Sequence, residues 1–214
     1  MKMYLTKTPS IIQKIFNNYT WRFSMEKKEI FLTFDDGPTP EITEFVLNEL
    51  QKYNAKATFF CIGKNIKKHP EIFEKIISEG HAVGNHTQNH LNGWKTNSTD
   101  YINNVVEVEK NFNLSNFQTF TSKLFRPPYG KIKKYQAKKL RDLEYKIIMW
   151  DVLSADFDTT ISKEKCLDNV LKNTTNGSIV VFHDSVKASE KLKFVLPKIL
   201  EYYSEKGFTF KAIS

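Results

Sequence analysis

The sequence predicts an α/β fold: a distorted or incomplete (β/α) barrel of about seven parallel strands in a single domain. Three observations carry this. Short apolar, β-branched and aromatic runs alternate with segments of helical periodicity along the chain. The polar residues that break the pattern fall just after the strands, where a β/α barrel gathers its chemistry. No linker, charge block or low-complexity stretch divides the 214 residues, a length that supports one sizeable core.

Taken in order, residues 1–28 form a lead-in expected to pack on the core through Trp21 and Phe23, and residues 29–214 form the domain proper. Residues 29–34 read as a buried strand that stops at Asp35-Asp36-Gly37-Pro38. Thr39 and Pro40 suit the N-cap and first residue of a helix carrying Ile42, Phe45, Val46, Leu50 and Tyr53. Residues 57–62 form a second strand closed by Gly63, and Pro70 opens a helix with Ile72, Phe73, Ile76 and Ile77 inward. A strand at 81–84 runs into Asn85-His86-Thr87-Gln88-Asn89-His90; a helix follows over 99–112. Leu124 and Phe125 enter the loop Arg126-Pro127-Pro128-Tyr129-Gly130. Residues 133–143 make a basic helix, 145–152 a strand, and Ser162 caps a helix reaching about residue 172. A strand at 178–182 ends in His183-Asp184; a helix with Leu192, Val195, Leu196, Ile199, Leu200 and Tyr203 and a last strand at 208–213 complete the chain. This rhythm implies parallel β/α units with right-handed crossovers.

The net charge of +8 comes mostly from lysines on helix-like segments. It reads as solvated helix faces, or as steering toward an anionic polymer. Cys61 and Cys166 stand far apart with no CxxC partner, which argues against a cysteine zinc site and a disulfide scaffold. With no GxGxxG after the first strand and no GxxxxGK[ST], those modes of nucleotide binding have no support, and no nucleic-acid partner is expected. No run reaches transmembrane length and the N-terminus lacks the apolar core of a signal peptide, so a soluble monomer is expected, cytoplasmic by default, with export by a route not visible in the chain left open.

Two carboxylates at the mouth of a core strand are costly, several kcal/mol each when unpaired, so Asp35 and Asp36 require partners. Neighbours on a strand point to opposite sides, which gives them different ones. His86 and His90, four residues apart, share a face if that stretch is helical and can share an ion, and a carboxylate from a neighbouring strand end would complete a common catalytic metal set. Arg126, Asp151, Asp156, His183 and Asp184 also follow strands.

The motifs Thr33-Phe34-Asp35-Asp36-Gly37-Pro38, His86-Thr87-Gln88-Asn89-His90, Arg126-Pro127-Pro128-Tyr129-Gly130 and Phe182-His183-Asp184, in this order, resemble the polysaccharide deacetylase family, also called the NodB-homology or carbohydrate esterase family 4 domain, over roughly residues 29–213. The resemblance implies a distorted barrel that removes N- or O-acetyl groups from an acetylated glycan such as peptidoglycan or chitin-like oligomers. It implies a divalent metal on Asp36, His86 and His90, zinc first, with cobalt, nickel or manganese as alternatives. Asp35 would be the general base, held by Arg126. The backbone N–H of Tyr129 would stabilise the oxyanion, and His183, paired with Asp156, would protonate the leaving group. Pro128, Tyr129, Phe157 and Val181 would line the substrate site.

The chain departs from the family pattern twice. Phe157 stands where the family usually has Trp after the aspartate, which leaves Asp151 and Asp158 as alternatives to Asp156. Val181 stands where Leu usually lines the acetate pocket. A non-catalytic glycan- or nucleic-acid-binding module, or a metal phosphoesterase or amidase on the same barrel, are the rival readings.

Overall fold

The central strand β1 (Glu29–Asp35) is buried along nearly its whole length, as its unbroken apolar run requires of a strand inside a parallel sheet. In the computed structural model, which describes residues 4–114 and 123–214, β1 pairs in parallel with β2 (Thr58–Cys61), with β7 (Ile179–His183) and, at its start, with β8 (Thr209–Phe210). The sheet runs β5-β4-β3-β2-β1-β7-β6, with β3 at Ala82–Asn85, β4 at Leu124–Phe125, β5 at Lys146–Ile147 and β6 at Val152–Leu153. Its pairings are parallel and it curls into an open barrel.

Side-chain alternation along β1 sorts the core. Ile30, Leu32 and Phe34 pack outward with Val46, Leu47 and Leu50 of α2 (Ile42–Lys52) and with Val195, Leu196 and Ile199 of α8 (Ser189–Glu205). Phe31 packs inward with Phe60, Leu124, Ile148 and Ile179. Thr33 and Asp35 continue that inward row.

The single strand expected over 145–152 is two: β5 (Lys146–Ile147) and β6 (Val152–Leu153), which form the two opposite edges of the sheet. The seam between them is laced by the lead-in. Lys7 bridges Val152, Thr20 bridges Ile148 and Arg22 bridges Ser178. Backbone bonds from Thr8 N–H to Asp151 O (2.8 Å) and from Met149 N–H to Thr20 O (2.7 Å) satisfy edge groups that an open barrel would otherwise leave bare.

Three local expectations change. α2 starts at Ile42, not at Thr39-Pro40, because Glu41 takes the cap position at φ 64 and forms a capping box with Glu44. Gly63 does not only close β2; it begins a short helix, α3 (Gly63–Lys68), ahead of α4 (Pro70–Ser78). His86 to His90 are not helical: Thr87 and His90 have φ of 64 and 55, which turns the chain tightly after β3. The helices α5 (Ser98–Leu114), α6 (Lys134–Asp142) and α7 (Lys163–Leu171), the last capped by Ser162, fall where periodicity places them. Among the described residues no helix is long and apolar enough to cross a membrane.

Candidate active site

Asp35 ends β1 facing inward and receives a hydrogen bond from Arg126 Nη1 at 2.7 Å. Arg126 follows β4 and is fully buried. The same Nη1 donates to Thr33 Oγ1 at 2.7 Å, Nη2 to Met149 O at 2.9 Å and Nε to Ile148 O at 3.2 Å, and the guanidinium lies 4.1 Å from the Phe60 ring centroid. Burial lowers the Arg126 pKa and Asp35 pushes it back up. A fixed fork of this kind holds one carboxylate in one orientation.

Asp36 leaves the strand at φ 85 and turns to the other side. The next residue is glycine for a steric reason: a Cβ at Gly37 would lie 2.0 Å from Asp184 Oδ2, and Gly37 N–H donates to Asp184 Oδ1 at 3.0 Å. Asp184 is buried against Thr43; burial pushes its pKa up to about 7 while the Thr43 hydroxyl pulls it down.

His86 Nδ1 lies 2.8 Å from Arg126 O. A carbonyl only accepts, so Nδ1 carries the proton and Nε2 presents a lone pair. Burial, and then His90, push the His86 pKa down to about 3. Burial also lowers that of His90, against the pull of Asp36. The two Nε2 atoms lie 3.8 Å and 3.2 Å from Asp36 Oδ1, a buried oxygen with no hydrogen-bond partner among the described residues. All three candidate ligand atoms lie within 4.8 Å of one another. Ligand atoms bonded at about 2.0–2.1 Å around a tetrahedral ion are separated by about 3.3 Å, so two neutral imidazoles and this orphaned carboxylate oxygen fit a divalent cation. The loop is held in place by Thr87 N–H to Asn85 Oδ1 (2.8 Å) and Leu91 N–H to Thr87 Oγ1 (3.0 Å).

His183 ends β7 beside Asp35 in register. Its Nδ1 is 2.7 Å from Asp156 Oδ1, and its backbone N–H donates to Asp156 Oδ2 at 2.7 Å. Burial works against the imidazolium, but Asp156, then Asp36 and Asp35, outweigh it and raise the pKa to about 9. The other two aspartates are engaged elsewhere. Asp151 takes Lys7 Nζ at 2.8 Å and the hydroxyl of Ser178; Asp158 takes the hydroxyls of Tyr4 and Thr160.

A cavity of about 670 Å³ joins these groups. Asp35, Asp36, His86, His90 and His183 line it, with Tyr129, Phe157 and Val181. Phe157 packs its ring 5.1 Å from that of His183. Tyr129 adopts φ 61 and sets its ring 4.6 Å from His90. Across this opening a water would meet a carboxylate held by a guanidinium, a candidate three-ligand cation site and a protonated imidazole. That set suits hydrolysis of an amide or ester.

The family model described as polysaccharide deacetylase matches residues 23–148. The chain belongs to the polysaccharide deacetylase family. It is 38% identical over 169 residues to a peptidoglycan-N-acetylglucosamine deacetylase of Bacillus cereus, covering 78% of this chain and 60% of that protein's length. A second Bacillus cereus protein of that name is 33% identical over 196 residues, with 91% of each chain covered. The crystal structure of the Bc1960 peptidoglycan N-acetylglucosamine deacetylase, in complex with 4-naphthalen-1-yl-N-oxidanyl-benzamide, superposes with a TM-score of 0.86 at 33% identity over 96% of this chain and 95% of that one.

Within this deacetylase fold, the residues that the family resemblance assigns to the site converge, with one exception. Pro128 is buried and lies outside the cavity lining, because the chain turns at Tyr129 and presents Tyr129, Gly130 and Lys131 instead. His81, outside this cluster, is buried and accepts from Ala57 N–H at 3.2 Å. Sequence reasoning named Thr33 and Asp184 within the motifs without giving either a role, and it missed Tyr4 and Trp150. Thr33 had a signal, since it sits two residues before Asp35 on the same face of the strand. Tyr4 and Trp150, which also line the cavity, had none: one comes from the lead-in and the other from the break between β5 and β6.

Proposed function

We propose that this chain is a metal-dependent hydrolase that removes the acetyl group from N-acetylglucosamine residues of peptidoglycan or a related glycan. The observation that carries the reading is Asp36 Oδ1, buried without a hydrogen-bond partner among the described residues and facing two imidazole nitrogens. The names of the two Bacillus cereus relatives support the substrate class. The N-hydroxyamide bound by the solved relative supports it too, because that group is a chelator of metal ions and an analogue of an amide.

Asp36, His86 and His90 would hold the ion, zinc first, with cobalt, nickel and manganese as alternatives. When bound it supplies Lewis acidity that lowers the pKa of the attacking water and polarises the acetyl carbonyl. Asp35 accepts the proton of that water. Arg126 holds Asp35 in one orientation, and through its own carbonyl keeps the Nε2 lone pair of His86 available. As the carbonyl carbon becomes tetrahedral, the N–H of Tyr129, the first donor after two prolines, stabilises the oxygen. His183 donates its proton to the departing sugar nitrogen, and Asp156 maintains that proton at neutral pH. Val181 and Phe157 wall the site around the acetyl group.

Acetate release from N-acetylglucosamine oligomers, measured before and after chelation and on restoring zinc, cobalt, nickel or manganese, tests this. Activity should vanish on chelation and return with metal. Acetate release that survives chelation would refute the metal assignment; release from no acetylated glycan would refute the substrate.

A further inference from the structure

We propose that Trp94 and Lys131 form a sugar-binding subsite just outside the cavity, holding a neighbouring ring of the same polymer while the acetylated residue occupies the cavity. This rests on the deacetylase reading above. Trp94 is 61% exposed. One exposed apolar side chain is ordinary on any surface, but this one is anchored. Its indole N–H donates to Ile132 O at 3.2 Å and its backbone N–H to Asn92 Oδ1 at 3.1 Å.

The loop beneath it is tied to the segment that forms the cavity wall. Gly93 N–H donates to Lys131 O at 3.1 Å, Gln136 Nε2 to Gly93 O at 3.0 Å and Lys133 Nζ to Thr96 O at 2.7 Å. A Cβ at Gly93 would lie 2.4 Å from Lys131 O, so this close seat needs a glycine. The Lys131 ammonium lies 5.3 Å from the indole centroid, and Lys131 itself lines the cavity. The indole therefore stands one lysine side chain beyond the cavity.

The chemistry of this pair matches a pyranose. The indole presents a flat apolar face that complements the C–H face of a sugar ring, and the lysine presents donors to its hydroxyls. Because the ring is already fixed, binding does not have to order it, which leaves more of the contact energy for affinity. A polymer gives the subsite its occupant: a glycan whose reacting residue lies among Asp35, His90 and His183 must leave the cavity, and Lys131, one of the lining residues, reaches from it to the indole.

The test measures kcat/KM of the metal-loaded enzyme for N-acetylglucosamine oligomers, dimer through hexamer, and for an aryl acetate. Wild type should gain rate with chain length. Trp94→Ala should lose about tenfold on the hexamer relative to its loss on the aryl acetate, and Trp94→Phe should recover part of it. Equal losses on both substrates, or an intact length dependence, would overturn the subsite. If wild type releases acetate from no oligomer, the deacetylase reading has failed, and calorimetric binding of the hexamer then decides the subsite alone. A Kd about fivefold weaker or more in Trp94→Ala sustains it, and an equal Kd overturns it.

Discussion

Replacing Asp156 by asparagine should convert a pH-tolerant enzyme into one confined to acid. His183 is held at about 9, against an ordinary histidine value near 6.5, and the largest opposing effect is burial, which favours the neutral ring. Asp156 overcomes it with a 2.7 Å ion pair to Nδ1; Asp36 and Asp35 add less, and an ion on Asp36 offsets that share. The sign is that of a raised group: the proton is present below the folded pKa and is lost as pH rises through it. In Asp156→Asn, burial is left unopposed by the nearest charge while Asp36 and Asp35 still favour the imidazolium, so the pKa falls back to about 6.5. At pH 8 the protonated fraction then drops from about nine-tenths to about one-thirtieth, a loss in kcat/KM of up to about thirtyfold, whereas near pH 6 the loss of the acid is less than about twofold. The assay is the ratio of mutant to wild-type kcat/KM between pH 5.5 and 9.5. A ratio that does not vary with pH would refute the reasoning, because Asp156 would then be orienting the ring without setting its charge.

Three further outcomes follow from the same geometry. Arg126→Met leaves Asp35 buried without its partner, which should cost about 3–5 kcal/mol and lower Tm by roughly 6–20 °C in a thermal melt. Zinc at about one hundred times its Kd should stabilise the wild type by about 2.7 kcal/mol and raise Tm by about 5–11 °C, with no such rise in Asp36→Ala. Tyr4 lines the cavity, with its ring 5.7 Å from that of Phe157; Tyr4→Ala should raise KM for a glycan about three- to tenfold, and Tyr4→Phe, which keeps the ring, should recover most of the loss in steady-state assays.

What the sequence made legible was local. The run from Ile30 to Phe34 is buried on both faces, so composition alone identifies it as a central strand. The apolar stretch from Tyr145 to Val152 is read as one strand by the same logic, yet it breaks at Trp150 and Asp151, because Asp151 is buried against Lys7 and Ser178, partners far away in the chain. The pair His86 and His90 is visible from spacing, but the helical account of it is not the one adopted: positive φ at Thr87 and His90 turns the loop so that both Nε2 atoms meet Asp36. The resemblance favours Asp156 as the partner of His183 but leaves Asp151 and Asp158 as alternatives, and it is the tertiary packing that brings Asp156 to His183. The lead-in is the clearest limit. No pattern in residues 4–28 announces that they lace the open seam of the barrel and put Tyr4 beside the site.

The division of labour between the two adjacent aspartates is the centre of the account, and calorimetric titration of zinc into metal-stripped wild type, Asp35→Asn and Asp36→Asn tests it most directly. One ion per chain should bind to wild type and to Asp35→Asn with Kd values within about threefold, while Asp36→Asn should bind about a hundredfold more weakly or not at all. Equal weakening in both variants, or wild-type affinity in Asp36→Asn, would contradict it.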